Sequence, residues 1–124
     1  MGKFVLKPTK NGGMKFNLKA TNGQVIASSQ IYESESAARA GIASVVASAP
    51  AAALEDQTVE GFAAQNLPKF EAYSDKAGEY RFRLKDGSGQ IIAVSEGYVK
   101  KESCLNGVES VRKNAVGAPI ETEA

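Results

Sequence analysis

Apolar and polar residues alternate strictly along Lys15-Phe16-Asn17-Leu18-Lys19. Phe16 and Leu18 fall on one face and the lysines and Asn17 on the other, the signature of a half-buried strand. Lys3-Phe4-Val5-Leu6-Lys7 reads as another strand, bounded by Pro8 and the turn residues Asn11-Gly12-Gly13. Asn22-Gly23 predicts a type I′ hairpin, which needs positive φ at both central residues, leading into a third strand over Val25 to Ser29. The period then changes. Ser34 reads as a helix N-cap with Glu35 in the first turn, and Ala38, Ile42, Val45 and Ala49 follow at helical spacing until Pro50. A short fourth strand fits Ala53 to Asp56.

The same order then returns. Sliding the chain against itself by 66 residues aligns 47 pairs without a gap, and 17 are identical. Phe16, Leu18 and Lys19 fall on Phe82, Leu84 and Lys85, and Gly23-Gln24 on Gly89-Gln90. Tyr32 falls on Tyr98 and Gly41 on Gly107. Ser88-Gly89 supplies the second hairpin turn, Cys104, Val108, Val111 and Ala115 the second helical stripe, and Pro119 to Thr122 the last strand. A two-copy tandem repeat is the strongest signal in the chain. It predicts an α+β fold of two β-β-β-α-β units, residues 3–56 and 69–122, with Phe62 and Leu67 pinning the connecting segment 57–68. A lone sheet with one helix in about 50 residues buries too little to be stable. Residues 1–124 are therefore expected to form one domain, with both copies on one core about an approximate twofold axis. The duplication supplies its own twofold mate, so a monomer is the expected state.

The signature F-x-L-K-x-x-x-G-Q-x-I-A-x-S-x-x-Y, followed by a helix containing G-I-x-S-V or G-V-x-S-V, spans both copies. It resembles the YegP-like family of small bacterial proteins, a family of unknown function that occurs as one copy or two in tandem. The resemblance implies one antiparallel sheet with two helices on one face, and a final strand of each copy that pairs with the other copy. Lys100 departs from the Ser or Thr expected at the second helix cap. The family implies no activity, catalytic residue or cofactor.

Composition narrows the function classes. Histidine is absent, which removes the commonest general base, the Ser-His and Cys-His pairs and most zinc ligand sets. The single cysteine, Cys104, cannot form an internal disulfide and fits a reducing cytoplasm. No apolar run approaches a membrane span, and the first residues lack the apolar stretch of a signal peptide. Net charge is +1, so bulk electrostatics favours no class of partner.

Individual candidates reduce mostly to structure. Gly41 and Gly107 accept a mid-helix penalty of about 1 kcal/mol at one register, which points to close packing or a ligand-facing gap. Tyr32 and Tyr98 precede their helices and read as packing residues, with a paired ligand contact as the alternative. Ser29 and Ser95 lack an activating base and read as strand-end hydrogen-bonding groups, and Cys104 falls on Ala38 as a small core residue. Asp86-Gly87-Ser88-Gly89 joins two strands rather than opening a helix, so it is a turn and not a phosphate loop. The carboxylates Glu33, Glu35, Glu55, Asp56 and Glu60 lack metal-loop spacing. No catalytic, cofactor or metal site is expected.

The open face of the sheet carries the most information. With the phenylalanines turned to the helices, parity sends Lys3, Lys7, Lys15, Lys19, Lys69, Arg81, Arg83 and Lys85 outward, with Glu71 as the one acid and Tyr73 as the one aromatic. Lys15, Lys19, Arg81, Arg83 and Lys85 are the candidate polyanion contacts. The expected function is a non-enzymatic interaction module of unknown target. The alternative is a weak nucleic-acid or polyanion binder, limited by the want of outward aromatics for base stacking.

Overall fold

The computed structural model describes residues 2–123. Four strands and one helix occur twice: β1 (Lys3–Pro8), β2 (Met14–Lys19), β3 (Val25–Ser28), α1 (Glu35–Ser48) and β4 (Ala53–Asp56), then β5 (Lys69–Ser74), β6 (Tyr80–Lys85), β7 (Ile91–Val94), α2 (Lys101–Ala115) and β8 (Ile120–Thr122). All eight strands form one sheet in the order β4-β5-β6-β7-β3-β2-β1-β8. Exchanging the two copies reverses this order into itself, as a pseudo-twofold between β3 and β7 requires. The registers repeat as well: Lys3 faces Lys19 and Phe4 faces Leu18 in the first copy, Lys69 faces Lys85 and Phe70 faces Leu84 in the second. Both copies also shift register at one place, between Leu18 and Lys19 and between Leu84 and Lys85.

The last strand of each copy is exchanged, β4 onto β5 and β8 onto β1. These two edge pairings are parallel, whereas the six inner strands are antiparallel. The sheet is thus mixed where wholly antiparallel pairing was expected. Hairpins can join only antiparallel neighbours, but β4 reaches β5 through segment 57–68, the length a parallel crossover needs.

The hairpins at Asn22-Gly23 and Ser88-Gly89 differ from the type I′ expectation, and the other two hairpins share their geometry. Among the described residues only glycines have positive φ, including Gly12, Gly23, Gly78 and Gly89. The Gly23 amide donates to the Ala20 carbonyl and the Ala20 amide to the Gln24 carbonyl, and Gly89, Asp86 and Gln90 repeat this pattern. Each loop is a tight turn followed by a left-handed glycine, the three-residue alternative to the two-residue hairpin. A side-chain acceptor such as Asp86 Oδ1 on the Ser88 and Gln90 amides holds the turn, so Ser88 and Asn22 need no left-handed backbone.

Phe4, Phe16, Leu18, Ile26 and Ala27 join Phe70, Phe82, Leu84, Ile92 and Ala93 in one buried cluster with Ala38, Ile42, Val45, Cys104, Val108 and Val111 from the helices. The two copies thus share a core. α2 packs on strands of both copies, and its Arg112 donates to the Ala52 carbonyl (2.6 Å) just before β4. Ser34 caps α1 through its hydroxyl on the Ala37 amide (3.0 Å), whereas Lys100 offers α2 no side-chain cap.

Phe62 and Leu67 do not pin the connecting segment; both are more than two-fifths exposed. Polar contacts hold it instead. The Glu55 carboxylate accepts from the Gln65 amide (2.8 Å), Gln57 Nε2 (2.6 Å) and Lys69 Nζ (2.8 Å). Segment 57–68 thereby folds against the open side of β4.

Candidate functional site

Two residue sets singled out by the repeat prove to be one contact made twice. A Cβ on Gly41 would lie 2.7 Å from Tyr32 Cζ, and closer still to its hydroxyl oxygen. A Cβ on Gly107 would meet Phe82 Cε2 and Tyr98 Oη, both at 2.8 Å. Each glycine makes room for its tyrosine, which stacks beside Phe16 or Phe82. Burial raises both tyrosine pKa values above the ordinary range, opposed at Tyr32 by a hydrogen bond from Gln30 and reinforced at Tyr98 by the charge of Glu96.

The other candidates on the helix side are similarly occupied. Ser29 Oγ accepts from the Phe16 amide and donates to the Gln30 carbonyl; Ser95 Oγ does the same with Phe82 and Glu96. These hydroxyls complete the ends of β3 and β7. Cys104 is buried, and burial with the nearby Asp56 charge pushes its thiol up to about 11. Among the described residues no cluster of three or more His, Cys, Asp or Glu could hold a metal ion.

The open face divides into two unlike halves. Glu71 is not its only acid. The exchanged strands set Glu55 level with Glu71 and Glu121 level with Val5, so both carboxylates share that face. Parity within the first three strands of each copy could not place them, because the exchange decides their register.

On the second-copy half, cations and acids interlock. Glu71 takes Arg83 Nε at 2.5 Å and Lys69 and Lys85 Nζ at 3.2 Å each. Lys69 also reaches Glu55, and Arg81 Nε reaches Asp75 at 2.7 Å. The Arg83 guanidinium lies over the Tyr73 ring, 4.4 Å from its centroid. Glu55 and Glu71 are each only 2% exposed. The Lys69 hydrogen bond, helped by Gln57 and the Gln65 amide, outweighs burial and lowers the Glu55 pKa to about 2. At Glu71 burial pushes the pKa up, but the Arg83, Lys85 and Lys69 hydrogen bonds together hold it below the usual carboxylate range.

On the first-copy half, Val5 stands at the position of Glu71 and Asn17 at that of Arg83. Asn17 Oδ1 accepts from Ser28 Oγ (2.7 Å), and Ser28 in turn matches Val94. Lys3 pairs with Glu121 at 3.0 Å. Lys7, Lys15 and Lys19 have no ion pair among the described residues. Val25, and Ile91 and Val94 from the adjoining strand β7 of the second copy, add part-exposed apolar surface along the centre of the face. Of the five candidate polyanion contacts, Lys15 and Lys19 are unpaired among the described residues, and Arg81, Arg83 and Lys85 are committed to carboxylates of their own chain.

No helix among the described residues is long and apolar enough to cross a membrane. An open cleft of about 570 Å³ lies between Phe62, Tyr73, Tyr80 and Lys101.

Comparison with known proteins agrees with this architecture. The chain is 30% identical to the yegP protein of E. coli, whose solution structure matches with a TM-score of 0.80 over 98% of this chain and 92% of that one. A second solution structure, a UPF0339 protein of Shewanella oneidensis, gives 0.79 over 98% and 90% at the same identity. The YegP protein of Yersinia pestis is 35% identical over 98% of this chain and 95% of its own length. Single copies match too: a Treponema denticola relative is 58% identical over 42% of this chain and 90% of its own length. A relative from Stutzerimonas stutzeri, a UPF0339 protein in the ptx operon 5′ region, is 70% identical over 37% of this chain, a stretch spanning 41% of that protein. The family model described as a domain of unknown function, DUF1508, matches residues 9–56 and again 75–121. With two matches in tandem and full-length relatives on both sides of the comparison, this chain belongs to the DUF1508, or UPF0339, family.

Proposed function

We propose that this chain is a non-enzymatic binding module whose working surface is the open face of the sheet. The observation that carries this reading is the inequality of the two faces. One is filled by α1 and α2; the other bears no helix layer, sets Lys19 beside part-exposed Val25, and carries Lys7 and Lys15 on the neighbouring strands. The groups that could have argued for chemistry are otherwise engaged. Ser29 and Ser95 hold strand ends, Cys104 is buried with a raised pKa, and the tyrosines fill the space their glycines leave.

Backbone amide spectra of the labelled chain in concentrated bacterial extract test this. Binding through the open face shifts or broadens Lys15, Lys19, Val25 and Val94 while leaving the outward positions of α1 unmoved. Perturbation confined to α1 and α2 would reject the reading.

A further inference from the structure

We propose that the first-copy half of the open face binds the phosphate backbone of duplex nucleic acid through Lys7, Lys15 and Lys19. This rests on the open face being the working surface. The starting observation is electrostatic. Lys7 stands directly across from Lys15, and Lys3 directly across from Lys19. Like charges directly opposite on a sheet are destabilising. The second copy has the Lys69 and Lys85 pair at the matching register, but there Glu71 lies between the strands and bridges both ammonium groups. The first copy replaces that carboxylate with Val5. Among the described residues only Glu121 answers the cations, and it reaches Lys3 alone; Glu123 bonds the Leu6 carbonyl through its amide and makes no ion pair with them.

The fold therefore neutralises its cations in one half and leaves them repelling in the other. A ligand with regularly spaced negative charge relieves that repulsion. Two lysine pairs four residues apart along the strands are separated by roughly 13 Å, a span that covers several backbone phosphates. Lysine offers a point charge without the planar fork of arginine, which suits diffuse phosphate contact over directional recognition of a carboxylate. The aromatic on the face, Tyr73, lies in the other half under Arg83, so no base can stack beside these lysines. Without stacking, the higher charge density of a duplex makes it the better ligand than a single strand.

The test is fluorescence anisotropy of a labelled 20-base-pair DNA duplex, its single strand, and vesicles of mixed neutral and anionic phospholipid, from about 20 to 200 mM salt. Three phosphate contacts give a log-log salt slope of about −2 to −3 on the duplex. Lys15→Gln/Lys19→Gln flattens the slope by about 2 and weakens binding at least tenfold at low salt. Lys15→Arg/Lys19→Arg retains it, and Lys113→Gln, on the far side in α2, leaves it unchanged. Glu121→Gln frees Lys3 and steepens the slope by about 1. A melting temperature at or above the parent's shows that the lysine variants are folded. Four results overturn the assignment: no duplex binding at the lowest salt, preference for the single strand, vesicle binding alone, or greater loss from Arg81→Gln than from Lys15→Gln. If these appear while extract still perturbs the open face, the ligand is wrong and the binding surface stands. If extract perturbs only the helices, the surface itself is wrong.

Discussion

The two copies solve one packing problem in two ways, and exchanging the solutions tests the reading of the open face. In the second copy the centre of that face is an ionic cluster: Glu71, 2% exposed, receives Arg83 at 2.5 Å and two lysines at 3.2 Å. In the first copy Glu71, Arg83 and the adjacent Val94 are matched by Val5, Asn17 and Ser28, with Ser28 Oγ on Asn17 Oδ1 at 2.7 Å. Glu71→Gln keeps the shape but takes away the charge that three cations surround. Removing one partner of a buried pair costs about 3–5 kcal/mol. Arg83 and Lys85 are about a quarter exposed and can turn toward water, so the lower end applies, about 3 kcal/mol. Loss of the Arg83 contact with Tyr73 adds under about 1 kcal/mol wherever Arg83 swings away. For a chain of this size that is a fall in Tm of about 10 °C. The transplant Glu71→Val/Arg83→Asn/Val94→Ser instead removes the Glu71–Arg83 pair whole and leaves Lys69 on Glu55, as Lys3 stays on Glu121 in the first copy. Replacing a buried ion pair by fitted neutral groups is often neutral or stabilising, so the triple variant is expected within about 1 kcal/mol of the parent. Urea unfolding followed by circular dichroism, with single, double and triple variants on one cycle, measures the coupling. Losses that simply add across the triple variant, or a Glu71→Gln variant within about 0.5 kcal/mol of the parent, would refute the reasoning.

Three further outcomes follow from the same geometry. Gly41→Ala should lower stability by about 1–3 kcal/mol despite alanine's better helix propensity, because the new Cβ strikes the Tyr32 hydroxyl; Gly41→Ala/Tyr32→Phe should recover part of the loss in thermal melts. Lys100→Ser should stabilise α2 by about 1 kcal/mol, by supplying the cap that Ser34 gives α1. Glu55 has a folded pKa of about 2 against an ordinary 4.5, so its contribution is complete above about pH 4.5 and lost as pH falls toward 2. Urea midpoints at pH 7, 4 and 2.5 should therefore fall less steeply for Glu55→Gln than for the parent.

Much of this fold is legible in the chain because each signal is local. Alternation at Phe16 and Leu18, the Ser34 cap and the stripe from Ala38 to Ala49 mark strand and helix without reference to anything distant. The doubled pattern then supplies the shared core. What stays hidden depends on contacts between copies. Glu55 reads as one scattered acid until β4 is laid on β5, where it becomes the anchor of Gln65, Gln57 and Lys69. Phe62 and Leu67 suggest an apolar anchor for segment 57–68, yet Glu55 takes that part through hydrogen bonds, which no hydropathy pattern encodes. The basic face is visible by parity as a list of cations. Its division depends on one difference, Glu71 against Val5, whose meaning appears only when the cross-strand partners are known. Gly41 is the converse case, since a repeated glycine signals a tight contact and the structure supplies Tyr32 as its partner.

Native-state hydrogen exchange tests the shared core most directly. If the two copies fold as one unit, the amides of Leu18 in β2 and Leu84 in β6 open with equal free energies, and both match global unfolding measured with urea. Exchange at one of these amides several kcal/mol below the other, with its own shallower dependence on urea, would show two units unfolding separately and contradict the account.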